Sequence, residues 1–152
     1  MITQNRPELT WFEHISGIYL KTKKLTEDVI KPYNLTWPQY GALLALVSIE
    51  PPSQRELADI LQIDTTNAMV ICDSLEKKNL IIRQRDPNDR RVNRLHVTKE
   101  GHQAFASSNQ DVMAKYGLIE SSVSREELES ISIVLSRIHS VITNILVESS
   151  RR

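Results

Sequence analysis

Four glycines, one cysteine and a net charge of zero set the outer limits of what this 152-residue chain can be. So few glycines leave no phosphate-binding P-loop, no glycine-rich dinucleotide turn and no nucleophile elbow. The lone Cys72 excludes an internal disulfide and suits a reducing compartment. His14, His96, His102 and His139 show no metal-ligand spacing with one another or with Cys72, so neither a metal nor any other cofactor is expected. No apolar run approaches the roughly 18–20 residues of a membrane span. The start, Met1 to Arg6, leads into no apolar signal segment, so a cytoplasmic protein without a membrane partner is expected. Carboxylates are plentiful but read as helix caps and surface charge, and nothing points to an enzyme.

What is present is a 40% hydrophobic content, enough for a core, and a charge that is unevenly spread. Between Lys77 and Arg94 stand Lys77, Lys78, Arg83, Arg85, Arg90, Arg91 and Arg94 against Asp86 and Asp89. That stretch carries +5, and the remainder of the chain −5. A local basic segment on a neutral protein is what docking on phosphates requires. A solvated charged loop would explain the charge, but not arginines clustered beside a turn.

Periodicity places the elements. Phe12, Ile15, Ile18, Leu25 and Val29 recur at helical steps from Thr10 to Lys31, and Pro32 ends that helix. Thr36 caps a second helix with Pro38 just inside it, carrying Tyr40, Leu43, Leu44 and Val47 up to Pro51-Pro52. Ser53-Gln54-Arg55-Glu56 is a capping box that opens a short helix with Leu57, Ala58 and Leu61 on one face. After the tight connection Gln62-Ile63-Asp64, Thr65 or Thr66 starts the next helix, which ends near Lys78-Asn79. Short helix, turn and second helix make a helix-turn-helix. Residues 80–84 and 92–97 then read as strands around the turn Asp86-Pro87-Asn88-Asp89, a hairpin wing. Thr98 caps a fifth helix to about Tyr116, with Gly101 an early weak point. A second capping box, Ser124 to Glu127, opens a last helix with Leu128, Ile131, Leu135, Ile138, Ile142, Ile145 and Leu146 on one stripe. The fold expected is mainly α with a small β-hairpin wing: a winged helix-turn-helix on a frame of long helices.

A helix fits the major groove of double-stranded DNA and offers its outer side chains to base edges. On the helix from Thr65, the residues Ala68, Ile71, Cys72 and Leu75 form the inner stripe, and Thr66, Asn67, Val70 and Ser74 lie opposite. Asn67 suits adenine, Thr66 either base type, and Val70 or Met69 a thymine methyl. No cation sits on the front half of this helix, so A·T-containing sites are expected. Arg90 and Arg91 near the wing tip suit a narrow minor groove, with Asp89 holding a guanidinium in place. Ser53, Gln54 and Thr65 at helix starts, and Arg83 at the wing base, complete the expected DNA contacts.

Four segments are familiar: residues 57–61, 73–81, the wing run Arg85-Asp86-Pro87-Asn88-Asp89-Arg90-Arg91, and 95–101. Together with Leu35-Thr36-Trp37-Pro38-Gln39-Tyr40, they resemble the MarR family of regulators. The resemblance covers nearly the whole chain. It implies a homodimer, a palindromic operator and repression relieved by a small ligand. Two departures stand out: Val70 where many relatives carry arginine, and Asn79 in place of a frequent glycine.

The expected organisation is an N-terminal dimerisation helix over 8–35, the DNA-binding unit over 36–97 and C-terminal dimerisation helices over 98–149. In the family the effector cavity lies between frame and winged unit. Trp11, His14 and Tyr40 suit its lining, and Arg55 suits an anionic group, so a small aromatic or anionic effector is the expected ligand. Ordinary packing is the plain alternative for each. Cys72 lies on the inner stripe and is read as a small hydrophobe rather than a redox sensor. The rival to a regulator is a winged helix that binds protein, which would not need Arg83, Arg85, Arg90, Arg91 and Arg94 together.

Overall fold

Proline and asparagine decide where the first helices stop. The computed structural model describes residues 10–149, so residues 8–9 of the expected frame helix and the Met1–Arg6 segment lie outside the described residues. Helix α1 spans Thr10–Ile30 and passes into a 3-10 turn, Lys31–Tyr33, that holds Pro32. Asn34, at φ 56°, closes that turn in the left-handed region, which asparagine tolerates. Helix α2 (Trp37–Ser48) starts as its sequence directs, with Gln39 Oε1 accepting from the Thr36 N–H at 3.1 Å.

Helices α3 (Gln54–Leu61) and α4 (Thr65–Lys77) form the helix-turn-helix. Ser53 Oγ accepts from Glu56 N at 3.2 Å, while Glu56 accepts from Ser53 N at 2.6 Å, so the capping box is fully closed. Gln62, left-handed at φ 54°, turns the chain between the helices. Helix α4 begins at Thr65, one of the two expected starts, and its cap is Asp64, whose Oδ1 accepts from Asn67 N at 2.8 Å. Asn79, at φ 56°, ends the next turn and feeds the wing.

The wing strands are β1 (Ile81–Arg85) and β2 (Asn93–Val97), antiparallel with Arg83 opposite Leu95. Each starts one residue later than the sequence pattern predicts. Leu80 is spent on the turn, its N–H bonding Leu75 O, and Val92 N is bonded to Asp89 O inside the wing loop. A third short piece joins the sheet edge: Pro52 O accepts from Leu95 N at 2.8 Å, and Ser53 bridges Arg94.

Helix α5 runs over Lys99–Glu120 and α6 over Arg125–Ser149. Within α5 the chain divides, between Val112 and Met113, into two compact units. The first unit has a dense core: Ile30, Leu43, Leu57, Leu75, Ile81 and Leu95 are at most 1% exposed. Full burial of such side chains contributes roughly 1.5–3 kcal/mol each. Gly101 belongs to this packing, because a Cβ there would stand 2.0 Å from Leu80 O. It is a point of close backbone approach rather than a weak spot in the helix.

The second unit is the end of α5, the turn at Ser121–Ser124 and α6. Helix α5 continues past Tyr116 because Gly117 sits inside it, and a glycine lowers helix propensity without blocking the hydrogen bonds. Ser124 and Glu127 close the second capping box, with Glu127 accepting from Ser124 N at 2.7 Å. No described residue of α6 is buried. By length and composition alone α6 is apolar enough to cross a membrane, which corrects the expectation that no run approaches that length. Ser132, Ser136 and Arg137 break the run without lowering the average enough.

Candidate nucleic-acid interface

The outer side of α4 is exposed where the sequence placed base contacts. Thr65, Thr66, Asn67, Met69 and Val70 are all open to solvent, with Val70 60% exposed. Ala68, Cys72 and Leu75 are buried on the opposite side, and Ile71 is half-buried. Burial pushes the Cys72 thiol up to about 11, so thiolate is scarce at neutral pH. Ser74 departs from the expectation. It is half-buried and its hydroxyl accepts from Gln39 Nε2 at 2.7 Å, because the N-terminus of α2 covers the far half of α4. Gln39, itself buried, also accepts from Lys78 Nζ at 2.9 Å.

The wing is held from below and open at its tip. Asp86, almost wholly buried, accepts from Asn88 N, Asp89 N and Arg94 Nε. The Arg94 guanidinium and these backbone donors hold the Asp86 carboxyl below the ordinary carboxylate range. Arg94 also reaches Glu56 at 2.7 Å, so one guanidinium ties the wing turn to the start of α3. Beyond this clamp, Arg90 is exposed and the Arg91 side chain is 91% exposed. Asp89 Oδ1 meets Arg91 Nε at 3.4 Å and also accepts from Arg91 N at 3.0 Å.

Arg83 is differently employed. Its guanidinium bonds Asp73 at 2.6 Å, Glu76, and Gln54 at 3.2 Å, which braces the wing base against α3 and α4. Two carboxylates thus surround one guanidinium, and Arg83 adds no net positive charge.

Ser53, Gln54, Thr65, Arg83 and Arg91 nevertheless line one cleft of about 420 Å³, together with Arg55, Val92, Asn93 and Leu95. Thr66, Asn67 and Val70 follow Thr65 along the exposed start of α4, and Asp89 and Arg90 adjoin Arg91 in the wing loop. The cleft gathers helix starts, hydroxyls and arginines, a set suited to a phosphate backbone.

The expected effector residues are dispersed. Trp11 and His14 are exposed on α1, with Trp11 edge-on to Phe12. Tyr40 is buried, donates to Asn109 Oδ1 at 2.7 Å and packs against Phe105. Arg55 lines the cleft beside Ser53 and Arg91, with none of the other three. Among the described residues no group of three His, Cys, Asp or Glu side chains is arranged to hold a metal ion.

Sequence reasoning missed three pieces: the Asp64 cap, the Gln39–Ser74–Lys78 cluster and the Arg94 clamp. Only the first had a local signal, an Asp three residues before an Asn at a helix start.

Residues 33–92 match the sequence model of the MarR family. Almost the whole chain also aligns with YxaD, an uncharacterized HTH-type transcriptional regulator of Bacillus subtilis, at 28% identity over 139 residues, 91% of this chain and 96% of that one. The segment 33–92, which holds the helix-turn-helix and most of the wing, is a MarR-family segment. A 74-residue stretch, 49% of this chain, is 38% identical to a regulatory candidate for the hcr operon of Thauera aromatica and spans 45% of that protein. The fold matches Staphylococcus aureus MarR in complex with salicylate and kanamycin, at TM-score 0.83, 21% identity, and 90% and 93% coverage of the two chains. It also matches the transcriptional repressor CouR bound to a 23-mer DNA duplex, at TM-score 0.80, 24% identity, and 90% and 99% coverage. The mainly helical chain with its two-stranded wing has the fold of these winged-helix proteins, and the curated relatives it matches are transcriptional regulators.

Proposed function

We propose that this chain is a DNA-binding transcriptional regulator that works as a homodimer on a palindromic operator, represses transcription in the cytoplasm, and lets go when a small aromatic or anionic effector binds. The observation that carries the reading is the cleft of Ser53, Gln54, Arg55, Thr65 and Arg91 beside the exposed start of α4. A duplex seated there would lay phosphates on the helix starts and bases against Thr66, Asn67 and Val70, with Arg90 and Arg91 directed to the neighbouring minor groove. Arg55 joins the phosphate contacts in this reading, and Arg83 positions the wing rather than adding charge. The CouR–DNA complex, a neighbour in fold, supports DNA docking.

Dimerisation is supported by chemistry that the second unit leaves unfinished. Ile131, Leu135, Ile142 and Ile145 on α6 are 43–56% exposed, and a second copy would cover them. In this reading residues 36–97 read DNA, and 8–35 with 98–149 form the frame. Effector release is supported by the salicylate bound to the S. aureus neighbour, a likeness in fold.

A gel shift of the full chain on the DNA upstream of its own gene, repeated across a salt series, tests the reading. Specific binding that weakens steeply with salt is expected, and salicylate titrated into the complex should release the duplex. Indifference to every duplex would leave a protein-binding winged helix instead.

A further inference from the structure

Asn67 is not a loose side chain waiting for a base. Its Nδ2 donates to Asp64 Oδ2 at 2.6 Å, while its backbone N–H donates to Asp64 Oδ1 at 2.8 Å. The two oxygens of one carboxylate therefore act separately. The first caps α4, and the second holds an amide one turn inside it. The carboxylate also fixes which way round the amide stands. An ionised carboxylate only accepts, so Nδ2 must face it and Oδ1 must face away. The amide nitrogen carries two hydrogens, and adenine is read by Oδ1 together with the hydrogen on the same edge. One hydrogen serves Asp64, which leaves Oδ1 and the second hydrogen for a base. Both side chains are exposed, so the pair stands at the surface that meets DNA.

Resting on the reading that Asn67 meets a base, we propose that Asp64 is a specificity-determining positioning residue that presets the Asn67 amide for adenine. Two costs of recognition then fall away before DNA arrives: the choice between flipped amide orientations and the loss of side-chain rotation. The same carboxylate repels phosphate, so Asp64 should favour discrimination over raw affinity.

The test uses the full chain and the tightest operator selected from randomised duplex DNA, with each base of the half-site then substituted in turn. Wild type should prefer adenine at one position, and Asn67→Ala should abolish that preference. Asp64→Asn and Asp64→Ser both keep an N-cap acceptor, yet neither offers a second carboxylate oxygen to Nδ2. Each should lower the adenine preference about tenfold while affinity for non-operator duplex holds or rises. Combining either with Asn67→Ala should cost no further discrimination.

A merely structural role would instead lower the melting temperature and weaken every duplex alike, and that result would overturn the proposal. Wild-type discrimination retained by both variants would overturn it too. If wild type shows no preference that Asn67→Ala removes, the base-reading role of Asn67 fails first, and this inference with it.

Discussion

The winged unit and helix α6 solve the same problem in opposite ways. Around the winged unit, apolar residues reach full burial, and the polar groups among them are matched, as Gln39 is by Ser74, Lys78 and the Thr36 N–H. Along α6, 25 residues of amphipathic helix have no buried position at all. The difference shows which region is left with uncovered apolar surface. One region is finished by its own chain, and the other leaves its apolar stripe for something else to cover.

The largest effect should come from breaking the unfinished region. Ile142→Arg places a charge in the α6 stripe, where Ile142 is now 46% exposed. Sedimentation should show monomers with an intact far-ultraviolet spectrum, and operator affinity should fall about a hundredfold or more as the two half-sites are engaged separately. An unchanged dimer would mean that another surface holds the copies together.

The next contrast uses one substitution in both regions. Gly101→Ala drives a Cβ to 2.0 Å from Leu80 O, so the Asn79–Leu80 turn must move. Thermal unfolding should report a loss of about 2–3 kcal/mol, as for an overpacked core.

A subtler effect follows from the Arg94 clamp. The Asp86 carboxyl is held low, first by its hydrogen bond from Arg94 and then by the Asn88 N–H. Glu56 is held low as well, chiefly by the Ser53 N–H. For depressed carboxylates, stabilisation is complete above the ordinary carboxylate range, near pH 4, and is lost as pH falls through the lower folded values. Melting temperature followed from pH 6 to pH 2.5 should therefore drop most below about pH 4. Asp86→Asn should flatten that drop. A profile unaltered in the variant would remove Asp86 from the account.

The smallest effect reverses the sign of the glycine experiment. A Cβ at Gly117 meets nothing within 4 Å. Gly117→Ala should therefore stabilise α5 by roughly 0.5–1 kcal/mol through helix propensity alone. Destabilisation of a dimeric sample would show that a second copy passes close to that backbone.

The contrast also explains what the sequence disclosed. Capping boxes at Ser53 and Ser124, the helical period of α4 and the turn residues of the wing are local patterns, legible because their physics spans three or four residues. Gln39 with Ser74 and Lys78 spans 35 to 39 residues, and no local pattern announces such a meeting. Ser74 leaves the expected outer face for that reason: it lies one turn beyond Val70, yet only the far half of α4 is covered. Gly101 reads as a weakness in the sequence because the cause of its size, Leu80 O, is remote along the chain. At the candidate site, residue types were legible but their engagements were not. Arg83 and Arg91 are both arginines of the wing, and only the folded chain separates the brace from the exposed side chain.

The central claim is that the open wing tip grips DNA while the braced base only positions it. Titrating Arg90→Ala/Arg91→Ala and wild-type dimers with selected operator across a salt series tests this directly. The account predicts an affinity loss of about tenfold or more and a salt slope shallower by about two per wing, with melting temperature unchanged. Equal affinity and equal slope in a folded double variant would contradict it.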